Sequence, residues 1–244
     1  MHPNPEIRIE ENSTRLAMAG ADVFSTLAIK SVEKRGRFVV AISGGSTPRK
    51  MHQLLTKAPY HLIIPWDQTH LFWVDDRHVP ETHPASNYGA ALKDFLIRVP
   101  IPDAQVYPIC TRMTPKEDAR QYQKMIIDFF DLQKGQFPRF DLIFLGMGAD
   151  GHTASLFRGA MALEEKTRLA LAVKGGIPDV SRVTLTLPVL NHARSVVFLV
   201  SGEKKAPTLN AVFNDSGNDL PARRIHLHNG KLTWLADRPA AARL

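Results

Sequence analysis

The run Phe140-Asp141-Leu142-Ile143-Phe144-Leu145, continued by Gly146-Met147-Gly148-Ala149-Asp150-Gly151-His152-Thr153-Ala154-Ser155-Leu156-Phe157, decides how this chain is read. The first six residues form a short apolar stretch, as in a parallel strand buried on both faces. Three glycines then turn the chain, and the small residues from Thr153 onward predict the start of a helix. His152 is thereby placed at the carboxyl end of a strand, where open α/β sheets bind ligands. An imidazole in that position can exchange protons near neutral pH, as base or acid. Ser155 reads as a small helix-packing residue, since no Gly-x-Ser-x-Gly surrounds it to expose a nucleophile.

Outward from this stretch, apolar runs and amphipathic segments alternate. Asn12 or Ser13 caps a long helix bearing Leu16, Val23, Phe24, Leu27 and Val32 on its apolar face. Strands are expected at 38–42, 70–74, 169–173, 183–187 and 196–200. Helices are expected from Pro48 with Thr47 as cap, from Asn87 to about residue 97 with Ser86 as cap, from Pro115, and from near Glu203. Residues 225–228 and 232–235 flank Asn229-Gly230 and read as a hairpin. The pattern predicts one doubly wound α/β domain over residues 1–244. Its sheet is mostly parallel and flanked by helices, with a small β-rich C-terminal part.

Three further segments follow apolar strands. Ser43-Gly44-Gly45-Ser46-Thr47 leads into a helix, so its backbone N–H groups, its hydroxyls and the helix dipole suit a phosphate; a bare tight turn is the competing reading. Neither the Walker motif nor the dinucleotide glycine pattern is present. In Asp75-Asp76-Arg77-His78-Val79-Pro80, Arg77 can fork onto phosphate or carboxylate oxygens. Asp75 can accept from sugar hydroxyls or orient a histidine, and an Asp–Arg pair that merely pins the loop is the alternative. Gly202-Glu203-Lys204-Lys205 offers a point positive charge, and Arg182 is a weaker case of the same kind.

Composition narrows the classes of function. The net charge is +7, but its Lys and Arg residues are scattered, without a long basic run or a nucleic-acid-binding signature. A basic pocket for a small anion is therefore expected, with no nucleic-acid partner. No apolar run reaches the length of a membrane span, and residues 1–11 lack the layout of a signal peptide. Cys110 is the sole cysteine, which excludes an intramolecular disulfide and a thiolate-rich zinc site. His192, His226 and His228 lack the helical His-x-x-x-His spacing. A cytoplasmic protein without membrane contact is expected, and the oligomeric state stays open. Ala242-Arg243-Leu244 loosely resembles the peroxisomal Ser-Lys-Leu address.

Together these segments closely resemble the 6-phosphogluconolactonases of the pentose phosphate pathway, within the glucosamine-6-phosphate isomerase/6-phosphogluconolactonase family. The resemblance rests on residues 43–48, 75–80 with Ser86-Asn87-Tyr88, 146–157, 182–186 and 202–206. It implies a fold similar to glucosamine-6-phosphate deaminases, ribose-5-phosphate isomerases and CoA transferases. The implied reaction is hydrolysis of 6-phospho-D-glucono-1,5-lactone, with no metal or redox cofactor required. His152 is the implied general base, with Asp75 beside it among the catalytic residues. Gly44, Gly45, Ser46, Thr47, Arg77, Lys205 and Arg182 are the implied substrate and phosphate ligands. The chain departs from the family pattern at Asp76, where glutamate is usual, and at Arg158, where proline is usual. Two other readings are a sugar-phosphate deaminase and a non-catalytic sugar-phosphate sensor. The deaminase loop typically continues Asp-Gly-His-Ile-Ala-Phe-Asn-Glu, unlike residues 150–157 here, and no DNA-binding module accompanies a sensor reading.

Overall fold

The computed structural model describes residues 5–215 and 217–244; residues 1–4 of the polar N-terminal stretch lie outside the described residues. In chain order the elements are β1 (Glu6–Glu10), α1 (Ser13–Arg35), β2 (Phe38–Ile42), α2 (Ser46–Leu55), α3 (Tyr60–Ile63), β3 (Thr69–Trp73), β4 (Asp75–Arg77), α4 (Asn87–Asp94) and β5 (Val106–Tyr107). They continue with α5 (Pro115–Phe130), β6 (Leu142–Leu145), β7 (Ala170–Gly175), β8 (Val180–Leu185), α6 (Leu187–Asn191), β9 (Ser195–Val200), α7 (Ala206–Asn214) and β10 (Lys231–Asp237). The fold is α/β, as expected. Seven strands form one sheet in the order β1-β10-β9-β6-β2-β3-β5, and every neighbouring pair is parallel.

The strand order fixes where a ligand can sit. From β2 the chain runs outward through β3 and β5, then returns to β6 on the other side of β2 and proceeds outward through β9 and β10. The order reverses between β2 and β6, so their connections leave in opposite directions and open a crevice at their carboxyl ends. The glycine turn follows β2, and the His152 loop follows β6. Both strands are buried at every residue, as their uninterrupted apolar sequences require. Ser43 Oγ donates to the Phe144 carbonyl at 2.8 Å and ties the two strand ends together beneath the crevice.

Several local expectations change. No helix begins at Thr153. Ala154 has φ of +50°, Thr153 and Leu156 form an isolated antiparallel bridge, and the Ser155 N–H is taken by Thr184 Oγ1 at 3.2 Å. Left-handed backbone at a non-glycine residue ends any helical continuation. The Asn229-Gly230 hairpin does not form either. The N–H groups of His226 and His228 bond to the Asn191 side chain and carbonyl, and β10 enters the main sheet in parallel between β1 and β9. The antiparallel pairing lies elsewhere, in a three-stranded sheet of order β4-β8-β7. α2 starts at Ser46 with Gly45 as its cap (φ +107°), so Pro48 is its third residue and Thr47 does not cap it. Ser86 and Thr114 cap α4 and α5 through side-chain oxygens, and α4 ends at Asp94 rather than near residue 97. Among the described residues, no helix is long and apolar enough to cross a membrane.

One buried histidine makes stability pH-dependent. His52 of α2 is 3% exposed and packs against Phe95 with ring centroids 4.9 Å apart and planes inclined at 33°. Its Nε2 is buried without a protein partner, and burial pushes its pKa down to about 4. The unfolded chain binds a proton near pH 6.5 that the folded chain refuses, so His52 costs stability as pH falls from about 6.5 to 4. The loss is about 3 kcal/mol at the lower end. Asp76, pushed up to about 6 by burial, acts in the opposite sense between about pH 6 and 3.8, because there the folded state holds the extra proton. His52→Leu is therefore expected to stabilise the protein relative to wild type progressively below pH 6.5. Urea unfolding at pH 7 and pH 4.5 checks this, and an equal difference between the two proteins at both pH values would refute it.

Candidate active site

The loops above the crevice are built to bring charge together. Ser43, Gly44, Gly45, Ser46, Thr47, Asp75, Arg77, Asn87, His152, Ala154, Arg182 and Lys205 line one open cavity of about 230 Å³, together with residues of β9 and the Gly146–Gly148 segment. Every site residue expected from the sequence thus faces the same space.

His152 is oriented by Asp150. The Asp150 Oδ1 lies 2.6 Å from His152 Nδ1 and 3.3 Å from the His152 N–H. Burial opposes the charge on Asp150, but the neighbouring imidazole and these two hydrogen bonds outweigh it and hold the carboxyl below its usual range. An ionised carboxylate only accepts, so Nδ1 is the donor in this contact. The loop that sets this geometry is closed on itself: Gly148 N–H donates to the His152 carbonyl at 2.8 Å, and Gly151 N–H donates to that of Gly148 at 3.1 Å. Thr153 Oγ1 donates to the Gly146 carbonyl at 2.9 Å and fastens the loop to the end of β6. Because Gly148, Gly151 and His152 spend their N–H groups here, those three cannot serve as oxyanion donors.

Asp75 does not orient His152. Its Oδ2 accepts from Ser155 Oγ at 2.5 Å, and its carbonyl accepts from Asn87 Nδ2 at 2.9 Å. Ser155 is fully buried and is a tether between the His152 loop and β4, not a helix-packing residue. Asp76 is a structural anchor. It accepts from the N–H groups of Arg77, Asn87 and Tyr88 and so pins the start of α4. Burial pushes its pKa up, and those N–H bonds resist the shift. Gly44 is a glycine for steric reasons, since a Cβ there would overlap the Asn87 carboxamide.

The cationic part comes from strand pairing. β4 and β8 run antiparallel with Arg77 directly opposite Arg182. Arg77 donates to the Ala85 carbonyl at 2.8 Å, while its Nε is buried without a partner. Arg182 is 3% exposed, and its pKa is lowered by burial and then by the charge of Arg77. Among the described residues, neither guanidinium forms an ion pair. Two such charges side by side in a cavity, without paired carboxylates, suit a multiply charged anion. Lys205 lies just before α7; burial lowers its pKa, and the charge of Asp150 opposes the shift. The α2 N-terminus adds the first N–H groups of a helix, which have no partner within it. Among the described residues, no three His, Cys, Asp or Glu side chains gather where a metal ion could be held.

The sequence assigns no role to Asp150, and it reads Ser155 as helix packing and Asn87 only as the start of a helix. Asp150 was legible as a carboxylate two residues before His152 in a glycine-rich turn. The other two act through contacts between distant segments, which local sequence does not display.

A 6-phosphogluconolactonase of Synechocystis sp. is 38% identical over 98% of this chain and 98% of its own. The solved structure of 6-phosphogluconolactonase from Trypanosoma cruzi superposes with a TM-score of 0.90 at 29% identity, covering 100% of this chain and 98% of that one. A monomeric glucosamine-6-phosphate deaminase, at 16% identity, shares the fold with a TM-score of 0.82 over 98% of this chain and 100% of its own. The family profile described as glucosamine-6-phosphate isomerases/6-phosphogluconolactonase matches residues 11–234, and the chain belongs to that family.

Proposed function

We propose that this chain hydrolyses 6-phospho-D-glucono-1,5-lactone to 6-phospho-D-gluconate, the lactonase step of the oxidative pentose phosphate pathway, with the cytoplasm as its compartment. The observation that carries the reading is the Asp150–His152 pair in one cavity with the unpaired guanidiniums of Arg77 and Arg182. Family membership supports it, and so do the relatives named for this activity. His152 Nε2 takes a proton from water as the water oxygen bonds to the lactone carbonyl carbon. The tetrahedral intermediate then collapses with cleavage of the bond to the ring oxygen, and the imidazolium returns the proton to that oxygen. Asp150 holds the ring in the required tautomer and stabilises the imidazolium. The phosphate is assigned to the glycine turn with Arg77, Arg182 and Lys205, so that binding energy far from the reacting carbon serves to orient it. Asp75, fixed by Ser155, is assigned to the sugar hydroxyls rather than to proton transfer.

The test is hydrolysis of the phosphorylated lactone, generated in situ, with the spontaneous rate subtracted and the unphosphorylated lactone as control. Fast turnover of the phosphorylated lactone alone supports the reading, and no excess over the spontaneous rate sinks it. Arg77→Ala is expected to raise KM roughly tenfold to a hundredfold, the effect of losing charge-assisted hydrogen bonds, with a smaller change in kcat. An unchanged KM would remove Arg77 from the anion site.

A further inference from the structure

One aromatic ring touches both functional parts of the cavity. The Phe157 ring centroid lies 5.0 Å from that of His152, with the planes inclined at 49°. The guanidinium carbon of Arg182 stands over the same ring, 5.6 Å from its centroid. Arg182 is held on its other side by the turn between β7 and β8, donating from Nε to the Gly175 carbonyl at 2.8 Å and from Nη2 to that of Pro178 at 3.2 Å. That turn has room for nothing more. A Cβ on Gly176 would come within 2.9 Å of Phe157 Cζ and 2.6 Å of Arg182 Nη2.

These contacts add to the hydrogen bonds that hold each group. His152 is 29% exposed along its side chain, and its ring has one hydrogen-bonded partner, Asp150. A second restraint is needed to stop the imidazole from swinging about that bond. Arg182 has carbonyl acceptors along one edge and forms no ion pair among the described residues; Asp75, Asp76 and Asp179 favour its charge from a distance, and the face of an aromatic ring supports it by contact. Phe157 supplies both restraints from the same loop that carries His152.

We propose that Phe157 is a positioning residue shared by His152 and Arg182, fixing the base and the anion-binding arginine at one mutual spacing. The proposal rests on the function given above, in which those two side chains act on different ends of one substrate. A shared spacer predicts a shared failure: removing the ring displaces the base from the carbonyl and loosens the arginine on the phosphate.

The experiment compares wild type with Phe157→Leu, which keeps apolar bulk without a ring, and Phe157→Tyr, which keeps the ring. Two readouts separate the ends: kcat at saturating lactone for His152, and calorimetric affinity for inorganic phosphate for Arg182. The Leu variant is expected to lose at least tenfold in kcat and to bind phosphate roughly fivefold more weakly. The Tyr variant should stay within about threefold of wild type in both. A change in only one readout, in neither, or an equal loss in the Tyr variant would overturn the shared role. If the Leu variant does not fold, Phe157→Met takes its place under the same criteria. A wild type that binds no inorganic phosphate would also overturn the proposal. A wild type that binds phosphate but leaves the lactone untouched would instead sink the proposed function. The phosphate affinity of the Leu variant then decides, and an affinity equal to that of wild type overturns the role of Phe157.

Discussion

Replacing His152 with alanine is expected to lower kcat for the phosphorylated lactone by roughly 10²- to 10⁴-fold, the range associated with losing a positioned general base. Phosphate affinity should remain within about twofold of wild type. The expectation follows from the separation of tasks in the cavity: the base sits on the loop after β6, while the paired guanidiniums sit on β4 and β8. Truncation at residue 152 removes the group that accepts the proton but leaves every cationic side chain in place. A His152→Ala protein as fast as wild type would keep the reaction and discard the mechanism. A large loss of phosphate affinity would show that the two parts are not independent.

The electrostatics of the site explain why a histidine and an anion can share one cavity. Arg77 and Arg182 stand against each other with like charge, and Arg182 is desolvated by burial. Asp75 and Asp76 lie beside them and offset part of that cost, but neither forms an ion pair with the arginines among the described residues. A bound phosphate would supply the missing opposite charge. Asp150 stands in the same relation to His152, as a carboxylate already in contact with the imidazole. The cavity thus offers an arriving anion two guanidiniums without ion pairs, and gives the imidazole a carboxylate already in contact.

How far the sequence reached depended on whether the deciding contact was local. The apolar runs that became β2, β6 and β9 need burial on both faces, so their identity as strands follows from composition alone. The glycine turn and the His152 loop each follow such a strand, and their place in the crevice is legible for that reason. The small antiparallel sheet is a different case. It joins Asp75–Arg77 to residues about a hundred positions away, and only that register sets Arg77 opposite Arg182. Asn229-Gly230 carries good hairpin chemistry, yet Asn191 takes the N–H groups that a hairpin partner would have used. The identity of the carboxylate that orients His152 was open for a similar reason. The sequence lets Asp75 orient a histidine, but Asp150 Oδ1 takes that place at 2.6 Å from His152 Nδ1, while Asp75 Oδ2 accepts from the buried Ser155.

Gly148→Ala is expected to reduce kcat about a hundredfold while every functional side chain remains present. Its backbone φ does not fall in the left-handed region reserved for glycine, so alanine is tolerable to the main chain. The difficulty is spatial: a Cβ at this position would overlap Asp150 Oδ1 and the Nδ1 and Cε1 atoms of His152. The methyl group therefore acts on the contact that orients the base, and the pair must move apart or move together away from the carbonyl. Relief of the overlap should cost about 1–3 kcal/mol of stability, which urea unfolding can separate from the kinetic effect. Phosphate affinity should change by less than about twofold, because the methyl group faces neither arginine. Comparison with His152→Ala then divides the rate loss into two parts: what the imidazole contributes by being present, and what it contributes by being held by Asp150. Wild-type turnover in Gly148→Ala would mean that the ring tolerates displacement, and that the Asp150 contact tunes the histidine without positioning it.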